Sequence, residues 1–136
     1  APSDGVKYDY YTTTMGILEK VRAHAGDVDF EVQPELVSLL SSGDFGRYAD
    51  EKGEMSVCFI SNNDITGGNS GSAMFNARGE LLGLAFDGNW EAMSSDILYE
   101  PKMQRTIGVD VRYMLFMIEK YGKAGNLIQE LKIANP

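Results

Sequence analysis

The sequence predicts a mainly β fold with helices added to it, and three features carry that expectation. Ser56–Ser61 is a short, almost wholly apolar run between Gly53 and Asn62-Asn63-Asp64, the pattern of a buried strand ending in a loop. Ala73-Met74-Phe75 and Glu80–Phe86 flank Asn76-Ala77-Arg78-Gly79, a hairpin pattern whose glycine can take positive φ. The stretches with helical spacing are short and lie outside this strand, loop and hairpin unit.

Taken in order, residues 1–25 are rich in Tyr and Thr and weakly patterned, and receive only a loose assignment. Glu31–Ser42 is expected to be a short amphipathic helix: Pro34 suits a first turn, Leu36, Leu39 and Leu40 share a face, and Gly43 terminates it. Arg105–Val109 is a further strand. Asp110 can cap a helix over Val111–Tyr121 that Gly122 stops. Asn126 and Gln129 resemble a capping box for a last short helix with Leu127, Ile128 and Leu131 on its apolar stripe. No repeat or low-complexity segment interrupts the chain, so residues 1–136 are read as a single domain.

Twelve Lys and Arg against twenty Asp and Glu leave a formal charge of -8, which repels a phosphate backbone and an anionic membrane surface alike. Neither nucleic acid nor membrane is therefore an expected partner, and no apolar stretch approaches the length that crosses a bilayer. The lone Cys58 cannot form an intrachain disulfide, and its apolar surroundings predict burial. The chain opens with Ala1-Pro2 and no signal segment, as expected of a processed or excised piece.

The chemistry is concentrated in Thr66-Gly67-Gly68-Asn69-Ser70-Gly71-Ser72. A serine hydroxyl attacks a carbonyl once a base takes its proton, and two backbone donors must then face the negative oxygen that forms. In the chymotrypsin arrangement these donors are the N–H groups of the nucleophile and of the residue two positions earlier, here Ser70 and Gly68. The surrounding glycines allow a sharp turn and close approach of a substrate. Taken alone, a Gly-x-Ser-x-Gly pattern reads more simply as a surface loop with an inert serine. The extended motif and the hairpin after it favour Ser70 as a nucleophile.

Thr66–Ser72, together with Phe86-Asp87-Gly88-Asn89-Trp90-Glu91-Ala92-Met93, Gln104-Arg105-Thr106-Ile107, Val109-Asp110-Val111-Arg112-Tyr113 and Phe45–Asp50, resembles the bacterial dipeptidyl-peptidase 7 and 11 family. Those enzymes are serine exopeptidases of chymotrypsin-like fold, and the likeness runs from about Tyr8 to Leu131. Ala73 departs from the proline common after Gly-Asn-Ser-Gly-Ser. The resemblance implies that this chain is the second, serine-bearing barrel of a double barrel. The first barrel, with the catalytic histidine and aspartate, would be absent from the chain, and the isolated piece inactive. It implies that Ser70 attacks and that Asp87 holds the α-ammonium of the substrate. Leu84–Gly88 would wall the specificity pocket, Phe86 included. Gly88 stands where arginine accompanies acidic preference and glycine accompanies hydrophobic preference. Further implications are a periplasmic or cell-surface location, peptide substrates, the upstream half of the same polypeptide as a partner, and a homodimeric full-length enzyme. No cofactor is expected.

Blander readings stand beside these. Asp87 could be a strand-end carboxylate capping a turn, and Gly88 a bulge or strand terminus. His24, in Arg22-Ala23-His24-Ala25-Gly26, is expected to be a solvent-exposed or turn histidine rather than the catalytic base. Asp64 lies six residues before Ser70, where trypsin-like enzymes bind Lys or Arg, but reads better as a loop-capping carboxylate. Asp27, Asp29 and Glu31 alternate like the exposed face of a strand, without the glycine-centred loop that calcium needs, so no metal is expected. Tyr113–Tyr121 is expected to pack into the core rather than to bind a membrane surface. The function classes left open are a dipeptidyl-peptidase, a glutamyl-endopeptidase-like enzyme and a catalytically silent peptide-binding module.

Overall fold

The computed structural model describes residues 9–94, 100 and 102–134, with Met93 and Ser94 by backbone only; the first eight residues of the loosely assigned opening lie outside it. Five strands, β1 (Tyr11–Thr13), β2 (Ser56–Ser61), β3 (Ala73–Phe75), β4 (Leu81–Gly88) and β5 (Thr106–Asp110), form one antiparallel sheet in the order β1-β2-β5-β4-β3. β1 and β3 are its edges, so among the described residues the expected barrel does not close and the β architecture is an open sheet. Among the described residues, four α-helices, α1 (Thr14–Ala23), α2 (Pro34–Ser41), α3 (Val111–Phe116) and α4 (Gly125–Gln129), are added to it.

The sheet is tightest where glycines let strands approach. A methyl group on Gly83 of β4 would lie 2.0 Å from the Val109 carbonyl oxygen of β5 and 2.9 Å from the Phe59 ring of β2. Backbone on one side cannot give way, so Gly83→Ala is expected to cost about 3 kcal/mol or more. A denaturant midpoint close to that of the parent protein would contradict this.

The hairpin turn is held by the Asn76 side chain, whose Oδ1 accepts from the amides of Arg78 (2.9 Å) and Glu80 (3.0 Å), while Gly79 adopts φ +76°. The exposed Arg78 and Glu80 ion pair at 2.7 Å adds little in water.

α2 begins at Pro34, three residues later than expected, because the residue before a proline is pushed out of helical geometry and Gln33 is extended, at φ -56° and ψ 133°. Asp27, Asp29 and Glu31 do not lie on a strand. Val28–Phe30 is a 3-10 turn capped by Asp27, whose Oδ1 accepts from the Asp29 amide. Asp110 caps α3 as expected, accepting from the Arg112 amide and gripping the Arg112 guanidinium through both carboxylate oxygens at 3.0 and 2.7 Å. Beyond Phe116 the helix widens into a π turn, Met117–Tyr121. The Gly122 amide closes it onto the Met117 carbonyl at 2.7 Å, and that carbonyl and Ile118's leave little room for a side chain at 122. The expected capping box at Asn126 does not form. Lys123 takes φ +54°, the chain turns earlier, and Ala124 becomes the residue before α4.

The main core lies in the helical layer. Leu18, Leu40, Phe45, Tyr48, Met55 and Phe116 pack together, with Met55 and Phe116 wholly buried, each contributing about 1.5–3 kcal/mol. Phe45 and Tyr48 both meet Phe116 edge-on. The Tyr48 hydroxyl donates to Glu119 on the π turn. Burial first, and the hydrogen bond to the Glu119 carboxylate second, push the Tyr48 phenol up to about 12. A raised folded-state value adds stability that is complete below the unfolded value near 10 and lost as pH climbs towards 12. Tyr48→Phe is therefore expected to flatten the alkaline limb of a stability–pH curve between about pH 10 and 12, and an unchanged limb would oppose this.

Candidate active site

After β2 the chain is tied to the sheet by Thr106, fully buried in β5, whose Oγ1 donates to the Asn63 carbonyl at 2.6 Å. The next residues close on themselves. The Thr66 amide donates to Asn69 Oδ1 at 2.8 Å, and the Asn69 amide returns to the Thr66 carbonyl at 3.2 Å. On the exit side, the Gly71 amide donates to the Ala85 carbonyl (2.7 Å) and the Ala85 amide to the Ser72 carbonyl (2.9 Å), hitching the loop to β4. Gly68 and Gly71 take φ +96° and +86°, values that side-chain-bearing residues rarely adopt. Ser70 stands exposed at the tip of this braced turn. Among the described residues, neither the Gly68 nor the Ser70 amide is engaged in a hydrogen bond.

β4 supplies the facing wall. Ala85 pairs with Gly108 and Asp87 with Ile107, so Phe86 is the extra residue of a bulge. Phe86 is 47% exposed, and the exposed Asp87 accepts from the next amide, that of Gly88, through Oδ1 at 2.8 Å. Ser70, Gly68, Phe86, Asp87 and Gly88 all line one open cleft of about 240 Å³. The structure thus brings Ser70, Gly68, Phe86, Asp87 and Gly88 to one cleft, while Leu84 and Ala85, the first residues of the expected pocket wall, do not line it. His24 does not line the cleft: it caps the C-terminal end of α1, stacked on Phe30 with ring centroids 4.0 Å apart. Asp64 is exposed on the loop but does not line the cleft.

Asn89 was missed as a structural anchor of the site. Its Oδ1 accepts from the Arg105 amide (2.8 Å), its Nδ2 donates to the Met103 carbonyl (2.8 Å) and Glu91 (2.7 Å), and its own amide donates to the Arg105 carbonyl (2.9 Å). These bonds hold the 3-10 turn Trp90–Ser94 at the end of the cleft. Nothing in the residue itself marks it, because the partners that anchor it, Met103 and Arg105, lie 14 and 16 residues away.

Residues 1–133 match the family model described as Peptidase S46. The chain belongs to the peptidase S46 family. Two S46 relatives are named dipeptidyl-peptidase 7: one from Porphyromonas endodontalis is 58% identical over 98% of this chain and 16% of its own length. The other, from Porphyromonas gingivalis, is 55% identical over 97% of this chain and 18% of its own. An Asp/Glu-specific dipeptidyl-peptidase of Capnocytophaga gingivalis is 48% identical over 98% and 18% respectively. Among solved S46 structures, that of Porphyromonas endodontalis DPP11 with the dipeptide Arg-Asp superposes with a TM-score of 0.92, at 41% identity over 99% of this chain and 19% of that one. This S46 chain therefore spans less than a fifth of the length of the relatives it matches.

Proposed function

We propose that the full-length protein containing this chain is a serine dipeptidyl-peptidase that releases dipeptides from the free amino end of peptides, with Ser70 as its nucleophile. One observation carries the proposal. The exposed Ser70 and the Asp87 carboxylate open into the same cleft, beside amides of Gly68 and Ser70 that hold no other partner among the described residues. The names of the S46 relatives support it.

In this scheme the substrate α-ammonium rests against Asp87, a charge-assisted contact that an amino-terminally blocked peptide cannot make. Ser70 Oγ bonds to the carbonyl carbon of the second residue as its proton passes to a base from the upstream part of the polypeptide. The Gly68 and Ser70 amides donate to the resulting oxyanion. Collapse breaks the peptide bond and the departing amine takes the proton. Water then cleaves the acyl-enzyme and frees the dipeptide. Gly88, without a side chain, leaves space beside Asp87 and suits a hydrophobic second residue. The isolated chain, lacking the base, would be inactive. The expected setting is the periplasm or cell surface, with the full-length enzyme as a homodimer.

A fluorophosphonate probe tests the proposal on the full-length protein. Labelling at Ser70, dipeptide products from unblocked peptides and refusal of blocked ones are expected. Peptide binding without labelling would favour the silent module, and cutting of blocked peptides the endopeptidase.

A further inference from the structure

Resting on that reading of the cleft, we propose that Ala92 is a second specificity-determining residue, acting with Gly88 as one wall of the substrate side-chain pocket. A methyl group placed on Gly88 would lie 2.8 Å from Ala92 Cβ, 3.7 Å from the Arg105 carbonyl oxygen and 4.0 Å from Ile65 Cδ1. The nearest of these is inside van der Waals contact, so no side chain enters at 88 unless position 92 recedes. Gly88, Ala92 and Ile65 all line the cleft that holds Ser70 and Asp87.

Position 92 is not free to recede. The Ala92 amide donates to the Asn89 carbonyl at 2.9 Å, and Asn89 is itself pinned to the turn that leads into β5 by its bonds to Arg105 and Met103. Moving Ala92 away from Gly88 strains that set of bonds. The space open to a substrate side chain is therefore fixed by two small residues jointly. A larger group at 92 fills the pocket, and glycine at 92 is what lets a long side chain be seated at 88.

The test uses the full-length enzyme and dipeptidyl substrates carrying Ala, Leu, Phe or Glu before the scissile bond. Ala92→Leu is expected to lower the kcat/KM ratio of Leu over Ala substrates by about tenfold or more, the scale at which a few methylenes discriminate. Ala92→Gly is expected to raise the ratio of Phe over Leu. The double variant Gly88→Arg with Ala92→Gly is expected to cleave the Glu substrate at least about tenfold better than Gly88→Arg alone. Unaltered ratios in Ala92→Leu and Ala92→Gly, with Ser70 labelled by fluorophosphonate at the parent level, overturn the inference alone. Should Ala92→Leu not fold, Ala92→Gly and the Gly88 pair decide it. No labelling of Ser70 in the parent enzyme overturns the nucleophile assignment, and this inference with it.

Discussion

Ser70→Ala in the full-length protein is expected to lower kcat by about 10⁴- to 10⁶-fold and to abolish fluorophosphonate labelling, while leaving peptide binding close to its original strength. The size follows from the chemistry. Removing Oγ removes the atom that forms the acyl bond, and what remains is positioning and the oxyanion donors, which alone give only a residual rate. The braced turn makes the variant informative. Its closing bonds run through Asn69, Thr66, Gly71, Ser72 and Ala85 and use neither the Ser70 hydroxyl nor its amide, so the loop keeps its shape. Single-turnover kinetics would separate this from loss of binding, and a kcat within tenfold of the parent would remove Ser70 from the chemistry.

Asp87→Ala is expected to lower kcat/KM on unblocked dipeptidyl substrates by roughly 30- to 1,000-fold, the cost of leaving a desolvated ammonium without its counter-charge. Asp87→Asn, which retains a hydrogen-bond acceptor but no charge, should fall between. Among the described residues the carboxylate accepts one hydrogen bond, from the Gly88 amide at 2.8 Å, so the loss belongs to substrate and not to folding. Equal losses on blocked and unblocked substrates would contradict the assignment.

Legibility in the sequence followed the range of the interactions. β2 coincides with its apolar run because a buried strand bounded by glycine and asparagines is a local pattern, and the hairpin is encoded by one Asn76 side chain and one Gly79. Ser70 and Gly68 were legible in one short motif, whereas Phe86, Asp87 and Gly88 were singled out only through the family resemblance. α1 was not: it starts in Thr-Thr-Met, carries Gly16 in its interior, and is fastened by a long-range bond from the Thr14 amide to the Met55 carbonyl at 3.0 Å. β1 likewise depends on pairing with β2, 45 or so residues on. The Asn89 anchor arises from contacts with Met103 and Arg105, 14 and 16 residues on, which no window of sequence displays.

The extra residue Phe86 sets a length scale. Two residues upstream of Asp87, Ala85 carries both bonds that hitch the Ser70 turn to β4, so the proposed nucleophile's loop is tied to the strand that bears the proposed amine anchor, with one irregular step between them. Shortening or adding to that step would carry the carboxylate to the opposite side of the sheet, since faces alternate residue by residue. On the proposed function, counting two residues from the amino end would be a property of one offset in a β-ladder, adjustable by a single insertion or deletion.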